Sequence, residues 1–238
     1  MMPMFTSQIA VETVIVAVAS AIQAATGMGM ALFAAPLLAL VDPGLVPGPT
    51  LFAVMVLSAV VAWRERLMLD FRTLAPAMLG LLCGTAIGTT VLAILVGWHL
   101  APLFAILILA AVLLSVVGMT VRVGRVALLV GGTASGVLGT MAGVHGPPIA
   151  LVLQHEPPER LRGMLCAFFT VGCAISLAAL ASIGVFGVAE FGVSLELLPG
   201  VAVGLVLAPI IAGRIDRRRA RIAVLAISAL SALALLFH

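Results

Sequence analysis

The sequence is poor in charge, in aromatic rings and in several polar residue types. Only 9% of its 238 residues are charged and 5% are aromatic, and it contains no Lys, Asn or Tyr. A soluble domain carries about 25% charged residues, so this deficit excludes an ordinary soluble protein. The three missing residue types all have AT-rich codons, which points to a GC-rich bacterial genome.

Cysteines and motifs for cofactors are also scarce. The three cysteines, Cys83, Cys166 and Cys173, all lie in apolar segments, so they indicate buried thiols and neither a disulfide framework nor a metal site. No ATP-binding motif is present, and we expect no cofactor. Energy for any transport would come from a gradient or a partner. The net charge of +3 reflects topology signals and does not indicate a nucleic-acid partner.

Long apolar stretches make up most of the chain. The sequence is 63% hydrophobic with a mean hydropathy of +1.33, and several stretches exceed the ~20 residues needed to cross a bilayer. This pattern predicts an all-α, multi-pass protein surrounded by lipid in a bacterial inner membrane. The N-terminus does not resemble a cleaved signal, because it lacks a positive region and Glu12 interrupts the apolar core.

All twelve basic residues are arginines, and they form four short clusters. Short arginine-rich loops stay cytoplasmic, so we expect all four clusters on that side and both termini outside. The connections at 41–49, 96–102 (with His99) and 187–195 carry no arginine and are expected outside as well. The clusters are Arg64, Arg66 and Arg72; Arg122 and Arg125; Arg160 and Arg162; and Arg214, Arg217, Arg218, Arg219 and Arg221.

The number of crossings between clusters follows from this rule. Full spans are predicted at 47–63, 74–96, 101–119, 164–186, 195–213 and 222–237. The stretch 126–153 must begin and end on the same side, so it must fold back as a hairpin or a re-entrant pair of short helices. The segment GTMAGVHGPPIALVLQ, 139–154, supplies the break. The stretch 9–41 is interrupted at ATGMGMALFAAP, 25–36, and is likewise predicted to form a hairpin.

Two halves of similar plan result from this assignment. Residues 1–120 and 121–238 each comprise a broken or re-entrant helical hairpin followed by three transmembrane helices, with opposite orientation in the membrane. Each half has small residues four apart in its second full span: Gly80, Gly84 and Gly88 in the first, and Gly204, Ala208 and Ala212 in the second. Such ladders allow close helix packing in lipid. Inverted repeats with broken helices are typical of secondary transporters.

The two breaks are the candidate substrate-binding site. A helix that begins inside the membrane exposes backbone N–H groups with a partial positive charge, which favours an anion. Pro147 suits the first turn of such a helix. Plain close packing remains the alternative explanation for the glycines. The candidate binding residues are Thr26, Gly27, Gly29, Thr140, Gly143, His145, Gly146 and Pro147.

Other polar residues in the apolar stretches are given simpler roles. His145 could donate to an anion and, with an ordinary pKa of about 6.5, carry a proton; a hydrogen bond to a neighbouring helix is the alternative. Gln23 and Gln154 are expected to join helices. Glu12 is expected as a solvated carboxylate near the outer interface. Arg160 and Arg162 are expected to act only as topology determinants.

Two motifs resemble the signatures of a known family. GTASGVLGTMAGVHGPPIALVLQ and IQAATGMGMALFAAPLLALV are similar to the second and first signatures of the TauE/SafE sulfite exporters, which are bacterial anion permeases. The resemblance spans the chain, including the arginine-rich end of the span at 213–219. It implies movement of small sulfur-containing anions such as sulfite or organosulfonates. The signature positions are Gly27, Gly29, Pro36, Gly139, Gly143, Gly146, Pro147 and Pro148.

The residues leave other classes of protein open. A non-transporting membrane subunit, such as an assembly or maturation factor, fits the same sequence. An intramembrane enzyme is less favoured, because Ser135 and His145 share one segment and no Gly-x-Ser-Gly motif is present. We therefore expect no enzyme and no catalytic residue. The expected partner is a small anion, and both a homodimer and coupling to protons remain open.

Overall fold

The computed structural model describes residues 2–95, 100–117, 121–212 and 217–237, and their side chains at 8–95, 100–117, 121–210 and 221–237. The described residues form helices and no strand, which confirms the all-α prediction. Short 3-10 turns at Pro43–Leu45 and Arg66–Met68 flank the third helix. The helices are α1 Met2–Thr26, α2 Met30–Val41, α3 Gly48–Arg64, α4 Phe71–Leu95, α5 Ala101–Val117, α6 Arg125–Ala142, α7 Gly146–Leu153, α8 Pro158–Ser182, α9 Val188–Glu196, α10 Leu198–Ala212 and α11 Arg217–Leu236.

Several of these helices are suited to a bilayer. Within the described ranges, five segments are long and apolar enough to cross a membrane: Gln8–Thr26, Phe71–Leu95, Arg125–Ala142, Pro158–Ser182 and Val188–Ile210. The helices α2, α3 and α5 and the segment Arg221–Leu236 are also apolar but shorter. The composition of the helices supports a multi-pass membrane protein.

The two hairpins have arms of unequal length. In each one the first arm, α1 with 25 residues or α6 with 18, is long, whereas the second arm, α2 with 12 or α7 with 8, is short. The sequence predicted a hairpin or a re-entrant pair of short helices and did not predict arms of unequal length. The difference arises because the residues that interrupt the helix come only after 18 or more helix-forming residues, so the break lies far along each hairpin.

The small-residue ladders lie at helix–helix contacts. Helix α4 packs along α6, and α1 packs along α10. A Cβ atom added at Gly84 would overlap the carbonyl oxygen of Thr133 on α6, and one added at Gly204 would lie 2.6 Å from the carbonyl oxygen of Ala17 on α1. Both ladders therefore face a neighbouring helix and allow the backbones to approach closely.

Other helix contacts also link the two halves of the chain. Helix α3 packs on α8 and α5 packs on α11. The short second arms pack on the last helix of the opposite half, α2 on α11 and α7 on α5. The broken hairpins are thus held by helices from both halves.

Arginine-bearing connections meet at one end of the bundle. Arg160, near the start of α8, pairs with Asp70 at 3.0 Å, and Arg162 pairs with Glu65. Hydrogen bonds from Thr73 hold the pKa of the Asp70 carboxyl below its usual range. These two arginines are therefore more than the topology determinants expected from sequence, because each fixes α8 to the connection between α3 and α4.

One polar residue differs from expectation, and several expectations lie outside the described residues. Glu12 is only 4% exposed and accepts a hydrogen bond from Gln8 at 3.1 Å, so the prediction of a solvated carboxylate is wrong. Its helix packs along α10. The connection 96–99 with His99, the ends of the predicted spans at 96, 118–119 and 213, and Arg214 are outside the described residues.

Candidate functional site

The first helix break is a short glycine turn between α1 and α2. Gly27 and Gly29 adopt positive φ angles of 92° and 114°, a region that favours glycine. Gly27 also lies against α8, where an added Cβ would be 2.7 Å from the Cα atom of Arg162. The Thr26 hydroxyl lies 2.7 Å from the carbonyl oxygen of Met28 and so stabilises the turn.

The second break separates α6 from α7. Gly143, with φ of 76°, ends α6 in the left-handed conformation, and its N–H donates to the carbonyl of Gly139 at 2.8 Å. Such a glycine is a common helix terminator. Pro147 and Pro148 then occupy the first turn of α7. The N–H groups of a first turn have no partner within the helix, so a proline there removes no helix hydrogen bond.

Some backbone N–H groups at the breaks remain without a partner. The N–H of Met30 donates to the side-chain oxygen of Gln23 at 3.1 Å, and the N–H groups of Gly143 and Val144 donate to α6 carbonyls. Five others find no acceptor in the part of the chain that the structure describes. They belong to Gly29, Ala31, Leu32, His145 and Gly146.

Both breaks border one small cavity, which we call the inner cavity. Its volume is about 30 Å³. The five residues with unpartnered N–H groups all line it, so the starts of α2 and α7 open onto the same space. Its lining consists of Gln23, Met28, Gly29, Ala31, Leu32, Val54, Val144, His145, Gly146, Pro147 and Phe169.

The His145 side chain is held by a buried polar network. Only 2% of the residue is exposed, and its Nε2 atom lies 3.3 Å from the Ser176 hydroxyl on α8. That hydroxyl is 2.8 Å from the hydroxyl of Thr140, and the thiol of Cys173 lies 3.9 Å from Nδ1. The ring fills the space where a side chain at Gly139 would lie. In this conformation both ring nitrogens face α8.

Two larger cavities adjoin the breaks at the arginine-bearing end, and we call them together the vestibule. Their volumes are about 280 and 200 Å³. Both are lined by Met28, Ser115, Leu161 and Arg221. Because Met28 also lines the inner cavity, this residue borders all three spaces.

The structure brings together some of the predicted binding residues. Gly29, His145, Gly146 and Pro147 line the inner cavity. Thr26 lines the vestibule instead. The others line none of these three cavities: Gly27 and Gly143 turn the chain, and Thr140 supports the Ser176–His145 contact.

Sequence reasoning missed several residues near the site. Gln23 was expected only to join helices; it does donate to Ser58 at 2.8 Å, but it also accepts the N–H of Met30. Met28, Phe169 and Arg221 were given no part in the site. Two of these residues could have been found from the sequence: Gln23 is an isolated glutamine in an apolar stretch, and Met28 lies between two glycines of the break. Nothing in the sequence pattern distinguished Phe169 from other apolar residues.

Comparison with known proteins agrees with the resemblance seen in the two signatures. Residues 13–235 match the family model described as sulfite exporter TauE/SafE. The match includes both helix breaks and all three cavities. No curated protein and no solved structure matches the chain.

Proposed function

The chain belongs to the sulfite exporter TauE/SafE family, and from this premise we propose that it is a secondary transporter of a small sulfur-containing anion in the bacterial inner membrane. Sulfite and organosulfonates are the substrates in question. The observation that carries the proposal is the meeting of two helix starts, those of α2 and α7, at one buried cavity. Helix breaks of this kind form the binding sites of secondary transporters.

The electrostatics of the inner cavity favour an anion. The start of a helix carries a partial positive charge on its unpaired N–H groups, and two such starts contribute here. The described part of the lining contains no carboxylate, so no negative charge from these residues opposes the ligand. Irregular backbone is tolerated inside a membrane where it is buried in protein or lines a cavity, and both conditions hold at the two breaks.

The inner cavity is too small for the substrate in this conformation. A buried water needs at least ~10–15 Å³ of such volume, so about 30 Å³ holds roughly two waters and is too small for a hydrated oxyanion. Binding therefore requires the cavity to enlarge. Alternating access in secondary transporters involves such movement of one bundle against another.

The inverted-repeat architecture, residues 1–120 and 121–238, is part of this proposal. It is supported by the equivalence of helix contacts between the halves. The contact of α1 with α10 corresponds to that of α6 with α4, and the contact of α2 with α11 corresponds to that of α7 with α5. The pairs α3–α8 and α5–α11 join equivalent helices, as a two-fold relation requires.

Coupling to protons is a further part of the proposal, with His145 as the group that would bind the proton. Its backbone lines the site and its ring is buried among Ser176, Cys173 and Gly139. A hydrated histidine can change charge between pH 5 and 8, so the ring would bind the proton once the cavity enlarges and water reaches it. The same ring would donate a hydrogen bond to the anion if it turned toward the cavity.

Uptake by purified protein in proteoliposomes tests the proposed function. We expect accumulation of radiolabelled sulfite or of a short organosulfonate above that of protein-free liposomes, and competition by other sulfur oxyanions. Chloride and acetate serve as control competitors. Folded protein that moves no member of the panel would contradict the proposal and favour a non-transporting membrane subunit.

A further inference from the structure

We propose that Arg221 forms a loading site where an oxyanion binds in the vestibule before it reaches the inner cavity. This inference rests on the proposed function and extends it to a residue that the helix breaks do not include. Arg221 lies near the start of α11, and its side chain lines both cavities of the vestibule. The ligand is an anion with two oxygens on one central atom.

The guanidinium of Arg221 is held in position, but no described carboxylate neutralises it. One terminal nitrogen donates to the carbonyl oxygen of Ser115 on α5 at 2.5 Å. A guanidinium has five N–H donors, so this bond orients the group and leaves other donors for a ligand. Among the described residues no carboxylate pairs with Arg221, whereas Arg160 and Arg162 are both paired.

The walls of the vestibule strengthen the effect of this charge. Arg221 is the one charged residue in the described lining of either cavity. Most of the surface around it is apolar and includes Ile22, Leu32, Leu161 and Val224. Low-dielectric walls focus the field of a single charge and raise the local concentration of counter-ions. At about 280 and 200 Å³, the cavities also have far more room than the inner cavity.

The vestibule leads to both helix breaks. The larger of its cavities reaches Gly29, and the smaller reaches Pro147. Met28 lines both of them and the inner cavity, and the residue is half-buried. An unbranched thioether adapts its shape readily. An anion held at Arg221 would thus lie in a space that shares this adaptable residue with the proposed binding site.

The shape of the guanidinium defines the ligand class. Its planar fork matches two oxygens on one atom and binds them through two parallel hydrogen bonds. Sulfite and sulfonates have this geometry, whereas a halide does not. The substitution Arg221→Lys would keep the charge but lose the paired donors. It therefore shows whether binding depends on the charge or on the geometry of the donors.

Equilibrium binding of radiolabelled sulfite to the purified, full-length protein tests the site. We expect Arg221→Gln to raise the Kd roughly 10–150-fold, the range for loss of a charge-assisted hydrogen bond, and Arg221→Lys to have a smaller effect. Arg125→Gln is the matched control, because it removes one exposed arginine that follows α5 and lines none of the three cavities. A Kd unchanged in Arg221→Gln would overturn the inference.

A second variant keeps the test decisive if the arginine variants fail to fold. Leu161→Trp enlarges a half-buried side chain that lines both cavities without changing charge, and we expect it to weaken sulfite binding at least about tenfold, a loss of ~1.4 kcal/mol. Normal binding in this variant would contradict a loading site in the vestibule. If the wild type transports sulfite and the variants bind sulfite as tightly as the wild type does, this inference alone is refuted. If the wild type transports no substrate, the proposed function is refuted.

Discussion

At the scale of single residues, the two helix breaks have different side chains at equivalent positions. Gln23, four residues before Gly27, uses its side-chain oxygen to accept the N–H of Met30. Gly139, four residues before Gly143, has no side chain, and the ring of His145 fills that space. The first break thus pairs one of its own N–H groups, whereas the second places a titratable ring beside the cavity. The two halves are therefore not interchangeable in chemistry.

Substitution of His145 separates a binding role from a packing role. If the ring donates to the anion, His145→Ala should raise the Kd by roughly 10–150-fold through loss of a hydrogen bond worth ~1.5–3 kcal/mol. If the ring also carries a proton, transport should lose its dependence on pH between about 5 and 8. Binding and the pH profile of flux are the measurements.

Ser176→Ala provides the matched control for that experiment. It removes the hydroxyl that contacts the ring but does not alter the lining of the inner cavity. We expect it to lower thermal stability with a smaller effect on binding. If His145→Ala left both flux and the pH profile unchanged, the ring would be a packing group, and the anion site would rest on the backbone N–H groups alone.

At the scale of helices, close contacts between backbones hold the halves together. Added Cβ atoms at Gly80 and Gly84 of α4 would overlap the backbone of α6, and those at Gly200 and Gly204 of α10 would meet α1. Each first hairpin arm is thereby fixed against the opposite half. Van der Waals packing of this kind drives helix association in lipid, because the hydrophobic effect does not drive helices together there.

A bulky residue in the α4–α6 contact should prevent this packing. We expect Gly84→Leu to reduce the folded yield in membranes and to lower the Tm, because overpacking costs about 1–3 kcal/mol or more. Ala86→Leu, which places the same side chain on the exposed face of α4, should leave both unchanged. Yield and Tm in detergent are the readouts, and equal behaviour of the two variants would show that Gly84 tolerates a side chain.

At the scale of the whole molecule, the connections that carry arginine converge. The pairs Arg160–Asp70 and Arg162–Glu65 join the start of α8 to the connection between α3 and α4, and Arg221 contacts the end of α5 at Ser115. The proposed entrance to the site lies at this end, within the vestibule. By the positive-inside rule this end should face the cytoplasm.

Cysteine labelling tests the orientation and the folding-back of α6 and α7. In a Cys83→Ser background, Arg125→Cys and His155→Cys should react with a membrane-impermeant maleimide from the cytoplasmic side. Val188→Cys, at a position that is 91% exposed in the connection before α9, should react from the opposite side. Labelling of positions 125 and 155 from different sides would rule out the hairpin.

Much of the fold could be predicted from the sequence because it follows from local rules. Apolar length gives the helices, and the glycines and prolines interrupt the two hairpins because they cannot continue a regular helix. The arginine clusters require the stretch 126–153 to fold back. The ladder at Gly80 and Gly84 indicated a helix contact because small residues four apart lie on one face.

The lining of the site was decided only by the tertiary structure. The sequence marked the two breaks, but a local pattern does not report which residues from distant segments approach one another. That Gly29 and His145 border one cavity depends on the packing of α1 and α6 against helices of the opposite half. Arg221 and Ser115, 106 positions apart, meet because α11 packs on α5. Burial of Glu12 likewise depends on tertiary packing, since a carboxylate on a helix is exposed or covered according to what lies beside that helix.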